Sequence, residues 1–227
     1  SDIHRRLFEN LIMLRNRIIL AVSLPLSAIP LALPQEVPQV QLSNLLLPVY
    51  AMSAQVQQFI VESDGAVLEE SSIQMHLLRP DGFFWETLDP FYELVVTDGT
   101  ILWNYQPDLE QVVIEDWSSN KSELAADLLS GRTDRLSAEY EVTRDESDSA
   151  EITVFKLLPL DEGSLYRQID ISFNEGSLLT IYIDNKNGQK TLWQFNKTRV
   201  NHQLAPELFR FQIPQGIDVI DNRAIPE

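Results

Sequence analysis

Six of the eight glycines follow an acidic residue or asparagine: Gly65, Gly82, Gly99, Gly163, Gly176 and Gly188. Asp-Gly and Asn-Gly are tight-turn pairs, because both residues tolerate positive φ. Between these turns the apolar residues alternate. Ile169, Ile171 and Phe173 alternate with Gln168, Asp170 and Ser172, and Leu179, Ile181 and Ile183 alternate with Thr180, Tyr182 and Asp184. A period of two marks a half-buried strand. Residues 94–97 and 101–105 flank Asp98-Gly99 as a hairpin, and residues 184–189 turn into a strand over 191–200. Strands joined by tight turns run antiparallel. The pattern predicts ten or eleven strands in antiparallel meander order.

Residues 120–130 break the pattern. Leu124, Leu128 and Leu129 stand at helical spacing, Asn120 with Glu123 resembles a capping box, and Gly131 can take the left-handed position beyond the end. A single amphipathic helix between strands must cover one face of the sheet. The expected fold is mainly β with some α: a curved antiparallel sheet with a helical lid, a half-barrel that is either tightly packed over a small area or leaves a cavity.

The N-terminus reads as an export signal. Arg15 and Arg17 precede the uncharged apolar run 18–33, which Pro25 and Pro30 make a poor buried helix or membrane anchor. Met13 is a candidate start, and Ala28 and Ala32 are candidate cleavage positions. The expected organisation is an extension and signal over 1–35 and one domain over 36–227. Residues 34–41 read as a linker, followed by a short helix around Leu42, Leu45 and Leu46 that Pro48 ends.

Charge and composition then exclude several classes. The net charge is −17, which argues against nucleic-acid binding and against a polybasic membrane contact. The first 35 residues hold four basic and two acidic side chains, so the remainder carries about −19. There is no cysteine, hence no disulfide, thiolate metal site or acyl-cysteine anchor. The chain has no HExxH, G-x-S-x-G, P-loop or G-x-G-x-x-G pattern. No metal, cofactor or catalytic residue is expected, and the protein is read as a non-enzyme. Of the three histidines, His76 has the parity opposite to Met75 and Leu77 and should face away from the apolar side.

The strand over 67–78 carries the sharpest site signal. Val67, Ile73, Met75 and Leu77 share one parity, and Arg79 has it too. A guanidinium at the rim of an apolar face is costly unless its five donors are satisfied. Phe83, Phe84 and Trp85 follow at once. This face is either a core with a polar tie or the mouth of an apolar cavity with a latch.

Residues 77–117 resemble the centre of the LolA family of periplasmic lipoprotein carriers. The motifs are Arg79-Pro80, Phe83 and Trp85, then Asp98-Gly99, Leu102-Trp103, Tyr105 and Pro107 in that order and spacing. The ending over 209–221 is also similar, and the likeness covers roughly residues 40–222. It implies a soluble, monomeric periplasmic chaperone that takes the acyl chains of outer-membrane lipoproteins from an inner-membrane ABC-type release complex. The cargo passes to LolB, a receptor lipoprotein of the outer membrane. LolB shares the fold but is lipidated on a cysteine, which this chain lacks. The resemblance implies an unclosed antiparallel β-barrel whose helical lid, latched by Arg79, encloses a hydrophobic cavity. With that fold, strand parity and the aromatics place Ile73, Met75, Leu77, Phe83, Trp85 and Trp103 along the cavity under Leu124 and Leu128. The competing expectation is a LolA-like protein that binds another hydrophobic or lipid ligand.

Overall fold

The computed structural model describes residues 37–117, 129, 133–145 and 151–223, all within the unit Glu36–Glu227. Helix α1 (Pro38–Leu46) starts inside the stretch read as a linker. Proline suits the first helical turn, where its missing N–H would be unpaired anyway. Leu42 and Leu46, four residues apart on one face, are both buried, and Pro48 prevents continuation. A second helix, α2 (Thr133–Glu139), precedes the second run of strands. Among the described residues no helix is long and apolar enough to cross a membrane.

The strands are β1 (Ala51–Val61), β2 (Val67–Leu78), β3 (Gly82–Asp89), β4 (Glu93–Thr97), β5 (Ile101–Gln106), β6 (Gln111–Asp116), β7 (Tyr140–Asp145), β8 (Ile152–Pro159), β9 (Tyr166–Asn174), β10 (Ser177–Asn185), β11 (Lys190–Val200) and β12 (Asp218–Asp221). They form one sheet in the order β12-β6-β5-β4-β3-β2-β1-β11-β10-β9-β8-β7. β1 stands near the middle because β11 returns to pair with it. All pairings are antiparallel except β12 with β6. β7 and β12 end the sheet without pairing to each other, so the barrel is open, as the sequence leads one to expect.

The turn pairs act as their chemistry requires. At the β4–β5 turn Gly99 has φ +93, and the Asp98 carboxylate accepts from the Thr100 and Ile101 amides. Gly82 serves a different purpose. Its φ is not positive, but an added Cβ would lie 3.0 Å from the Leu78 carbonyl and from Phe209.

Cross-strand partners share a face, so the register sorts the sheet into two. Ala54, Met75, Trp85 and Val95 stand side by side on the concave face. Ser53, His76, Phe84, Val96, Trp103 and Ile114 stand side by side on the convex face. The main core lies on the concave side and includes leucines from both helical segments. A second apolar layer lies on the convex side. There Val96, Val112, Ile114 and Phe209 are buried outside the main core, and Phe211 meets Tyr105 at 5.2 Å. The segment 201–217 supplies this cover on its way to β12.

Candidate functional site

The concave floor is built where the β2 parity places it. Ile73, Met75 and Leu77 point inward with Phe83 and Trp85 of β3, and none is more than 8 % exposed. β1 and β11 add Met52, Val56, Trp193 and Phe195 to the same core. The aromatic rings run in a line. Phe83 stacks on Trp85 at 5.9 Å, and Trp85 meets Trp193 edge-on at 5.4 Å. The cover consists of Leu42 and Leu46 of α1, Leu129, and Leu136 of α2. These leucines pack directly on the apolar floor.

Arg79 ties cover to floor. Its backbone N–H donates to the Tyr50 carbonyl at 2.8 Å, which sets the chain just beyond β2. Its Nη1 donates to the Leu47 carbonyl at 2.9 Å, and Nη2 donates to the Leu46 and Leu129 carbonyls at 2.7 and 3.4 Å. Leu46 and Leu47 end α1, where carbonyls lack helical partners and the helix dipole favours a cation. One guanidinium therefore caps α1 and reaches the covering segment at Leu129. Burial lowers the Arg79 pKa, and Nε is buried without a partner, so the guanidinium's donors are incompletely satisfied.

Asn201 fixes the other side of the same connection. Its Oδ1 accepts from the Tyr50 amide at 2.9 Å, and its Nδ2 donates to the Pro48 carbonyl at 2.9 Å. The residue sits at φ +55, a conformation asparagine tolerates better than most side chains.

The opposite end of the floor is open. A pocket of about 380 Å³ lies there, with Trp85 at its base and Gln58, Glu69, Tyr92, Phe91 and Leu109 around it. The polar groups at its base form a chain. Trp193 Nε1 donates to Gln58 Oε1 at 2.7 Å, Gln58 Nε2 to Glu69 at 3.5 Å, and the buried Ser71 hydroxyl also donates to Glu69. Burial and a hydrogen bond to Glu86 at 2.8 Å push the Tyr92 phenol up to about 12. The site is thus an apolar trough, latched at one end and polar-rimmed at the other. Among the described residues no group of three His, Asp or Glu side chains could hold a metal.

Two expectations need correction or limit. Trp103 does not line the concave floor. It pairs with Val96 and Ile114 on the convex face, while its neighbour Leu102 is the buried concave residue. The strand period forces this, since concave Val95 stands opposite Asn104. Leu124 and Leu128 lie outside the described residues. His76 faces the convex side, as its parity requires. The residues that sequence reasoning left out are Leu42, Leu46 and Leu136 of the cover, Trp193 and Gln58 at the open end, and Asn201.

An open antiparallel half-barrel with a leucine-rich cover held down by one arginine defines the class as a hydrophobic-ligand carrier fold. Comparison with known families agrees. The family described as outer membrane lipoprotein carrier protein LolA matches residues 48–212. An outer-membrane lipoprotein carrier protein of Hahella chejuensis is 35% identical over 179 residues, which is 79% of this chain and 86% of that protein. One from Pseudomonas syringae pv. syringae is 32% identical over 204 residues, 90% of this chain and 97% of that protein. A crystal structure of an uncharacterized conserved protein from Thermus thermophilus has the same fold at a TM-score of 0.51 and 14% identity, over 81% of this chain and 98% of that one. The chain belongs to the LolA family of outer-membrane lipoprotein carrier proteins.

Proposed function

We propose that this protein is a periplasmic lipoprotein chaperone whose concave trough holds the acyl chains of its cargo. It receives lipoproteins from an inner-membrane ABC-type release complex and delivers them to the outer-membrane receptor LolB, working as a monomer. The reading involves no chemical step and no cofactor. The observation that carries it is the Arg79 contact to Leu46, Leu47 and Leu129, because a carrier needs a closed form that competes with its cargo. Burying one methylene gives about 0.8 kcal/mol, so three full acyl chains bound without opposition would be held almost irreversibly. Closing leucines onto the empty trough withholds part of that gain.

The family membership supports the cargo, and the trough supports the mode of binding. The test is to purify the mature protein from a periplasmic extract and identify what it carries. Triacylated lipoproteins are the expected species. Recovery of a different lipid with no lipoprotein would replace the cargo assigned here.

A further inference from the structure

The convex face carries a second groove that the carrier reading does not use. It begins with a fault in the sheet. Ser53 pairs with Arg199 and Gln55 with Asn196, so Lys197 and Thr198 stand opposite the single residue Ala54. Lys197 takes φ +51, the left-handed conformation of a bulged residue. A bulge re-aims side chains and is favoured beside functional sites. Here it brings Lys197 and Arg199 onto one recess of about 390 Å³ with His76, His202 and Gln74. That recess runs on into a trough of about 600 Å³ with mixed polar and apolar walls, which shares Gln55, Gln74 and Lys197 with it.

The charge here opposes that of the molecule. Acidic side chains outnumber basic ones 34 to 17 in the chain. Lys156 pairs with Asp145 and Arg167 with Asp184, while Arg79, Arg144 and Lys186 donate to neutral oxygens. Lys197 and Arg199 have no hydrogen-bond or ion-pair partner among the described residues. Glu86 is paired across the strands with Gln74 and acts on His76, and its carboxylate already accepts from Tyr92.

The imidazoles add an unused donor. The Ser53 hydroxyl lies 2.6 Å from His76 Nδ1 and 3.0 Å from His202 Nε2. One hydroxyl can donate to only one of them. His202 Nδ1 is buried without a partner, and a buried unpaired N–H is the costlier alternative. The tautomer in which His202 Nε2 donates to Ser53 and Ser53 donates to His76 Nδ1 is the one that leaves no N–H on the buried His202 Nδ1. In that tautomer His76 carries its proton on Nε2, which has no acceptor among the described residues.

A lysine ammonium, an arginine fork and an imidazole N–H around one recess are donors with no acceptor among the described residues, whereas the Gln74 amide already donates to the Ala54 carbonyl at 3.3 Å. A phosphate group, with its negative charge and several acceptor oxygens, matches that set. We propose that this convex recess binds a phosphate-bearing ligand, with the adjoining trough accepting its organic substituent.

The test follows the histidine C2–H signals by NMR in the full chain, titrating inorganic phosphate and then glycerol phosphate at ionic strength matched with chloride. Binding places an anion beside the ring, so the His76 pKa should rise by roughly half a unit or more and the change should saturate within about 10 mM. The Lys197→Gln/Arg199→Gln double variant should lose the response while keeping the remaining spectrum, and Lys197→Arg should retain it. Co-sedimentation with phosphatidylglycerol vesicles that depends on the same two residues would assign a lipid headgroup. A response to glycerol phosphate without such sedimentation would assign a soluble phosphoester. A His76 signal indifferent to phosphate, or an equal response in the double variant, would overturn the proposal.

Discussion

Arg79 offers five donors and directs two of its nitrogens to three main-chain carbonyls, two ending α1 and one at Leu129. A charge-assisted hydrogen bond is worth about 1.5–3 kcal/mol, so losing the side chain shifts the open–closed balance by roughly tenfold or more. Arg79→Leu should still load lipoprotein but pass it poorly to the receptor, because the closed form no longer competes with cargo. Arg79→Lys should fall between, since an ammonium on a flexible stem cannot span the same carbonyls as a planar fork. A reconstituted transfer assay checks both, and normal hand-over by the leucine variant would count against the latch. His76 gives a second test at this scale. Burial and then the neighbouring His202 hold its pKa below the ordinary value, against a smaller upward pull from Glu86. The unfolded chain therefore takes up a proton first as pH falls. The stability this neutral ring contributes is complete above about pH 6.5 and is lost as pH drops through its folded pKa. Urea midpoints measured between pH 7.5 and 5.5 should fall less steeply in His76→Gln than in the parent. Parallel slopes would mean that His76 titrates as it does in the unfolded chain.

At the scale of elements, the strands that alternate cleanly could be read from sequence. The parity of Ile73, Met75 and Leu77 placed β2 and, with it, Arg79. Trp103 escaped because both faces of β5 are covered. Convex residues near it are buried partly by Phe209 and Phe211, a hundred residues further along, so hydrophobicity there no longer marks one face. In β10 an irregular register between Leu178 and Thr180 puts Leu178, not Leu179, into the core. The start of α1 was hidden by prolines that read equally well as linker. The partners of Arg79 were illegible for a simpler reason: a main-chain carbonyl is the same on every residue. The corrected faces make a sharp contrast. Trp85→Ala should weaken binding of an apolar fluorescent probe that lipoprotein displaces, by roughly tenfold or more if about 100 Å² of apolar contact is lost. Trp103→Ala should lower the unfolding midpoint but leave probe affinity nearly unchanged. Equal loss of affinity in both would return Trp103 to the cavity.

For the whole molecule, closure and charge act at different steps. The leucines of α1, α2 and residue 129 pack on the concave floor; on the proposed reading cargo must displace them, and net affinity is the difference of two burials. On the same reading the net charge of −17 would act before contact, by steering toward a basic face on a partner; the alternative role is solubility alone. Transfer rate should fall as salt shortens the screening length from ~10 Å at 0.1 M toward ~3 Å at 1 M, whereas probe binding should not weaken. A transfer rate flat in salt would leave solubility as the sole role of the charge. The central claim, that cargo enters the concave side behind the Arg79 latch, has a direct test in two adjacent residues. Val95 and Val96 are both buried, at 4 % and 1 % exposed, but on opposite faces. The chain has no cysteine of its own, so Val95→Cys and Val96→Cys each introduce a single thiol. The measurement is the rate of thiol alkylation in the Arg79→Leu background, with and without bound lipoprotein. The account predicts that the thiol at 95 reacts when the protein is empty and is protected by cargo, while the thiol at 96 stays unreactive in both states. Protection at 96, or none at 95, would contradict it.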